Sequence, residues 1–354
     1  MLGATLSASA RADTTEQRYS APLYRRARAH PVTDSERLLR QAVACIREAL
    51  RATPADFRTL CERVKSMHVP GDRRAAQLGQ RRAIAALARQ SLERRAYLDD
   101  ALARLDGALG LDASNPRVLE TRARTLSLWE EPVAIDECRV RRRDAEAIDA
   151  FERLTHVAAS FHAAEVAFQL GILHTRVHAF ESAQADYARA LTLALDARDV
   201  ATTQGNLAEV TMLAGDPAAA LPHYERALQL TPAGRDYALL SLGLAVALDR
   251  LGEHDAALQK AAIAIDSSGR SLAILHTAGV FFEPDYEVYY YEGLGNEALA
   301  QLMPEARALS FESAAASYRA FLDAADGDNP YRVNARSNLD HVEALLDADD
   351  GSRL

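Results

Sequence analysis

Apolar residues recur every three or four positions along almost the whole chain, the spacing of helices buried on one face. Leu38, Leu39, Ala42, Val43, Ile46, Ala49 and Leu50 form the first stripe. Thr33 and Glu36 ahead of it stand at capping-box spacing, where hydroxyl and carboxylate satisfy orphan backbone N–H groups. Thr53-Pro54 ends the run. The pattern predicts further helices over Phe57 to Met67, closed by Val69-Pro70-Gly71, and from Arg73 to about Leu111. A short helix to Trp129, a break at Glu131-Pro132 and a charged helix through Arg141-Arg142-Arg143 to Phe151 follow. After Ile265 the register loosens into a loop at Ser267-Ser268-Gly269. A tyrosine-rich helix beyond Phe281-Phe282-Glu283-Pro284 and a last helix from about Tyr331 to Leu346 complete the pattern.

Within this pattern lies an echo of 37 residues. Leu170-Gly171, Leu207-Ala208 and Leu244-Ala245 share it, as do Ala183, Ala220 and Ala257, and Ala190, Ala227 and Ala264. Repetition at this length signals stacked copies of a helix pair that cannot bury its apolar face alone. Gly215-Asp216 and Gly252-Glu253 mark the turns, and Pro217 begins a helix where a missing N–H costs nothing. Asp199 and Asp236, again 37 apart, are expected as N-caps.

The repeated unit resembles the tetratricopeptide repeat. In the stretch from Asn206 to Pro232, Leu207-Ala208 stand for the family's Leu-Gly pair, and Ala220, Tyr224 and Ala227 for its small-aromatic-small signature. Ala183, Tyr187 and Ala190 repeat that signature, and Ala257, Ala261 and Ala264 repeat it without the aromatic. Looser copies stand at Ala314, Tyr318, Phe321 and at Ala101, Leu105, Ala108. Small residues let two antiparallel helices approach closely, and the aromatic fills the gap toward the next unit. The period departs from the family's usual 34, and the tryptophan of the first helix is missing.

The resemblance implies an all-α, right-handed superhelical solenoid of antiparallel helix pairs. The expected organisation is a flexible leader or signal remnant over 1–31, a helical region with degenerate repeats over 32–160, three regular repeats over 161–266, and a divergent terminal repeat with a capping helix over 267–354. It also implies a concave groove lined by the first helices: Phe168, Ile172 and Arg176, then Glu209 and Met212, then Leu242, Val246 and Arg250, then Tyr289, Glu292 and Asn296. That mix suits a peptide or an amphipathic helix from another protein. A subclass of the family grips C-terminal carboxylates. Asn206 could serve such a clamp, but Phe168, Ile172 and Leu239 stand where it needs polar groups.

Composition supports a folded helical chain: 49% of residues are hydrophobic and 26% charged, with 17 Gly and 12 Pro among 354. Net charge is −9 but uneven, +6 over residues 1–150 and −15 over 151–354. Lys65 and Lys260 are the only lysines, an arginine-for-lysine usage that looks like a GC-rich bacterial genome. Cys45, Cys61 and Cys138 are odd in number, far apart and without a C-x-x-C, so neither a disulfide framework nor a zinc site is expected. No window is apolar for long enough to span a membrane. Residues 1–12, with Ala-Ser-Ala and Ala-Arg-Ala triplets, read either as a truncated signal, placing the protein in the periplasm or cell envelope, or as a small-residue tail of a cytoplasmic protein.

Candidate chemistry is sparse. His174 and His178, with His156 and His162 nearby, offer a metal-dependent enzyme as the rival reading. The segment reads HTRVH, without the glutamate a zinc hydrolase uses, and His178 aligns with the turn glycines Gly215 and Gly252. Gly293-Leu294-Gly295-Asn296-Glu297-Ala298 matches a dinucleotide fingerprint but lacks the βαβ context. Tyr290 and Tyr291 are expected in packing. Arg73-Arg74, Arg81-Arg82 and Arg94-Arg95 raise a nucleic-acid regulator as a third reading, against a solvated face. The leading expectation is a non-enzymatic interaction scaffold or adaptor, with no cofactor and no metal.

Overall fold

The computed structural model describes residues 33–53, 56–66, 73–194, 196–277, 280 and 282–351. The expected leader and the closing turn at 69–71 lie outside them. The chain divides into two compact units: the first runs to Val177 and includes His276 and Thr277, and the second holds His178–Leu275 and the residues from Val280 on.

The first unit opens with α1 (Asp34–Ala52), α2 (Phe57–Ser66) and α3 (Arg73–Leu111). Thr33 caps α1, its side chain accepting from the Glu36 N–H at 3.2 Å. Leu39, Ala42 and Val43 of α1 pack on Ala101, Leu105 and Ala108 of α3, so the worn copy of the repeat signature is a true helix-packing face. Next come α4 (Pro116–Leu128), a hairpin of β1 (Glu130–Ala134) and β2 (Arg139–Arg142), α5 (Asp144–Val157) and α6 (Ala163–Arg176). Leu98, Leu119, Leu126, Phe151 and Leu170 share the core of this unit.

Two expectations fail here. Arg139–Arg142 is an antiparallel strand, not the start of a charged helix, which begins only at Asp144. Pro132 keeps the facing strand out of a helix, Arg141 pairs with Glu131, and Cys138 turns the chain at φ 58°. The second failure concerns the cysteines. Cys61 on α2 and Cys138 in the hairpin form a disulfide across 77 positions, with both residues buried. Count and spacing missed it because the two segments meet only in the fold, where their Cα atoms stand 5.6 Å apart. Cys45 remains free and half-buried against the α1–α3 contact.

The second unit is a run of helix pairs: α7 (Phe180–Leu193), α8 (Ala197–Leu213) with α9 (Pro217–Leu230), α10 (Arg235–Arg250) with α11 (His254–Ser267), and α12 (Glu287–Leu302) with α13 (Arg307–Ala324). The last helix is α14 (Arg332–Gly351). This is the all-α helical-repeat solenoid. Asp216 caps α9 through the Ala219 N–H, with Pro217 at the first helical position. Asp199 and Asp236 are not caps. Asp196 caps α8 by accepting from the Asp199 N–H, and α10 starts after Gly234, so both aspartates stand in first turns, where they complement the helix dipole.

His178, Gly215 and Gly252, spaced 37 apart, have φ values of 59°, 96° and 85°. The register that aligned His178 with turn glycines is thus a backbone equivalence, held by a non-glycine residue at the first position.

Candidate functional site

All signature positions of the repeats are buried. Ala183, Tyr187 and Ala190, then Ala220, Tyr224 and Ala227, then Ala257, Ala261 and Ala264, then Ala314, Tyr318 and Phe321 are each at most 2% exposed. Tyr224 on α9 packs against Gly243 of the next pair. A Cβ there would stand 2.6 Å from the ring, so only glycine admits the contact. Tyr318 covers Gly293 in the same way, and Leu272 covers Gly295. The glycines of the dinucleotide-like motif are therefore packing glycines, consumed by side chains.

The inner helices carry charge into this core. Glu209 on α8 accepts hydrogen bonds from the Tyr224 hydroxyl at 2.5 Å and the Tyr291 hydroxyl at 2.9 Å. Arg250 at the end of α10 is paired with Glu287 of α12, and its guanidinium lies 4.0 Å from the centre of the Tyr331 ring. Asp249 accepts from Tyr290 and, at 2.8 Å, from Asn338. Tyr318 donates to Glu297 at 2.5 Å. Burial pushes the phenols of Tyr224, Tyr290, Tyr291 and Tyr318 above their ordinary range, so they act as neutral donors to these carboxylates. Burial opposes a charge on His254, but hydrogen bonds to Asp249 and Glu297, with their charges, overcome it and raise its pKa to about 10.

The chain's own C-terminal segment bonds to the inner helices. Tyr331 donates to the Met212 carbonyl at 2.9 Å and Asn334 to the Asp249 carbonyl at 2.8 Å, while Leu339 and Val342 of α14 join the core of the repeats. The expected groove residues fare accordingly. Glu209, Met212, Leu242, Val246 and Arg250 are buried inside the second unit rather than lining an open channel. Phe168 and Ile172 are buried in the first unit, where Arg176 approaches the Ser127 carbonyl at 3.3 Å and Asp144 at 3.4 Å. Tyr289, Glu292 and Asn296, together on α12, stay half-buried. Tyr290 and Tyr291 are in the core, as expected for packing.

The four histidines of the metal reading do not come together among the described residues. Among the described residues, His156, His174 and His178 join no set of three ligand atoms, and His178 instead pairs with Glu283 and stacks on Phe180. His162 meets Glu120 and Glu165, but Arg124 lies 2.8 Å and 3.2 Å from those same carboxylates and supplies their positive charge. In the basic stretch Arg94 is buried and Arg95 pairs with Glu131, while Arg81 and Arg82 are exposed; the side chains of Arg73 and Arg74 lie outside the described residues. No helix among the described residues is long and apolar enough to cross a membrane.

Glu209 and Arg250 are expected as site residues from the sequence; Asp249, His254, Glu287, Asn338 and His341 are not, and Glu297 stands only in the dinucleotide-like motif. The available signal was the charged residue inside an otherwise apolar helix: Glu209 follows Leu207-Ala208, and Asp249 ends a run from Leu239 interrupted only by small residues.

Residues 199–266 match the family model of the tetratricopeptide repeat. No curated protein sequence is significantly similar to the chain. Among solved structures, one from the functional characterisation of Pseudomonas aeruginosa pilF is 17% identical, with 71% of this chain and 95% of that one covered and a TM-score of 0.43. A tetratricopeptide repeat protein from Parabacteroides merdae is 14% identical, covering 88% and 99%, with a TM-score of 0.41. YrrB, described as a TPR protein with an unusual peptide-binding site, is 15% identical, covering 66% and 97%, with a TM-score of 0.37.

Proposed function

We propose that this chain, a tetratricopeptide-repeat protein, is a non-enzymatic scaffold that binds a peptide or helix of another protein along α12. The observation that carries this reading is that Tyr289, Glu292 and Asn296 are partly exposed together on one inner helix, while the chain's own C-terminal segment bonds to the inner helices before it. A tyrosine gives contact area and a polar tip at small entropic cost, and a carboxylate and an amide beside it can read a peptide backbone or a basic side chain. Met212, Leu242 and Val246 are buried in the second unit and offer a partner no comparable surface. The non-enzymatic part of the reading rests on how the buried carboxylates are used: Glu209, Asp249, Glu287 and Glu297 each accept from or pair with a side chain of the fold.

The test is cross-linked affinity capture from native extract with the full chain, run beside Tyr289→Ala/Glu292→Lys. A partner that cross-links to α12 and is lost in the double variant, with helicity by circular dichroism unchanged, supports the reading. Undiminished capture of every partner by the double variant overturns it.

A further inference from the structure

The geometry points to a divalent transition-metal site formed by His254, Glu297 and His341, which ties the C-terminal helix to the last two helix pairs. One ligand atom from each of these residues lies within 4.8 Å of the others. They come from three helices of the same unit, the first turn of α11, the middle of α12 and the middle of α14.

The surroundings orient each inner ligand as a metal site requires. Asp249 Oδ1 stands 2.6 Å from His254 Nδ1 and fixes that nitrogen as the donor. Nε2 faces Glu297 Oε2 at 3.3 Å, so the ion takes the place of the proton held between them. This carboxylate–histidine pairing is the usual second layer around a bound metal, where it fixes the tautomer and makes the imidazole a better ligand. Glu297 is held likewise: Tyr318 donates to Oε1, so Oε2, which faces His254, is the oxygen turned toward the ion. Asn338, one turn before His341 on α14, bonds to Asp249 Oδ2 at 2.8 Å, so the helix carrying the third ligand is registered against the other two. The rings of His254 and His341 meet edge to face with centroids 5.8 Å apart.

Two imidazoles and one carboxylate suit zinc or a neighbouring first-row ion, and water completes the coordination. His341 is exposed and gives the ion a way in. The other three-residue set, Glu120, His162 and Glu165, differs because Arg124 already sits on both of its carboxylates. Binding replaces a proton on His254 with the metal, so it is best measured above neutral pH.

The experiment titrates Zn2+ into chelator-treated full chain at pH 8 by calorimetry, beside His341→Ala and His162→Ala, with thermal denaturation of each. His341 is exposed, so its replacement removes the ring contact with His254 but no buried core residue. One Zn2+ per chain, a raised melting temperature, at least tenfold weaker binding in His341→Ala and none of that loss in His162→Ala are expected. Co2+ in place of Zn2+ then gives ligand-field bands that His341→Ala removes. No stoichiometric binding by the wild type, or equal binding by His341→Ala, overturns the assignment.

Discussion

Glu209 and Tyr291 are joined by a buried hydrogen bond of 2.9 Å across 82 positions of sequence. It links the inner helix of one pair to the inner helix two pairs later, and the Tyr224 hydroxyl shares the same carboxylate. Removing one donor leaves a buried charge less satisfied. Tyr291→Phe is expected to cost about 1.5–3 kcal/mol, the range for hydrogen bonds to charged groups. Urea denaturation of the full chain checks it, and a change within error would show that Tyr224 alone satisfies Glu209.

The tyrosine-on-glycine contacts give a second prediction. Gly243→Ala and Gly293→Ala drive a methyl into Tyr224 and Tyr318, whose rings have no room to retreat. Each is expected to destabilise by about 1–3 kcal/mol. Gly110→Ala is the control, because nothing lies within 4 Å of its added methyl. In the last turn of α3 that position should gain up to about 0.5 kcal/mol, the low end of the range for a helix interior. Melting temperatures of the three variants should move in these opposite directions.

Arg250 and Glu287 form a buried ion pair with side chains 0% and 3% exposed. Arg250→Ala strands the glutamate and should cost about 3–5 kcal/mol, whereas Arg250→Met with Glu287→Leu should recover most of that loss. The comparison separates the energy of the pair from the cost of an orphaned charge. A double variant as unstable as the single one would mean that Tyr331 needs the guanidinium itself.

The Cys61–Cys138 disulfide closes a loop of 77 positions. Loop-closure entropy puts its contribution at about 4 kcal/mol. Reduction, or Cys61→Ser with Cys138→Ser, should lower the stability of the first unit by that order and leave the second unit's transition in place. Thermal denaturation with and without reductant measures it, and an unchanged profile would show that packing of the hairpin suffices.

The helices were legible because their signals are local. Apolar spacing predicted α2 to one residue and α3 to its last turn, and the 37-residue register placed every small or aromatic signature residue in a buried position. The hairpin was not legible, since Arg139–Arg142 has Val140 as its one apolar residue, too few to show a period of two, and Arg141 meets Glu131 and Trp129 only in the fold. The groove was only half legible. Register put Glu209, Met212, Leu242, Val246 and Arg250 on one face of the stack, but which faces stay open depends on where the chain's end goes.

The sequence by itself determined the helix pairs, their period, their close-packing positions and the residues that turn between them. Each of these follows from side-chain size and backbone freedom within a span of one repeat. Only the tertiary structure decided the disulfide, the covering of the inner helices by Tyr331 and α14, and the gathering of His254, Glu297 and His341 around one point. These join residues tens of positions apart, where attraction depends on distances that no periodicity encodes.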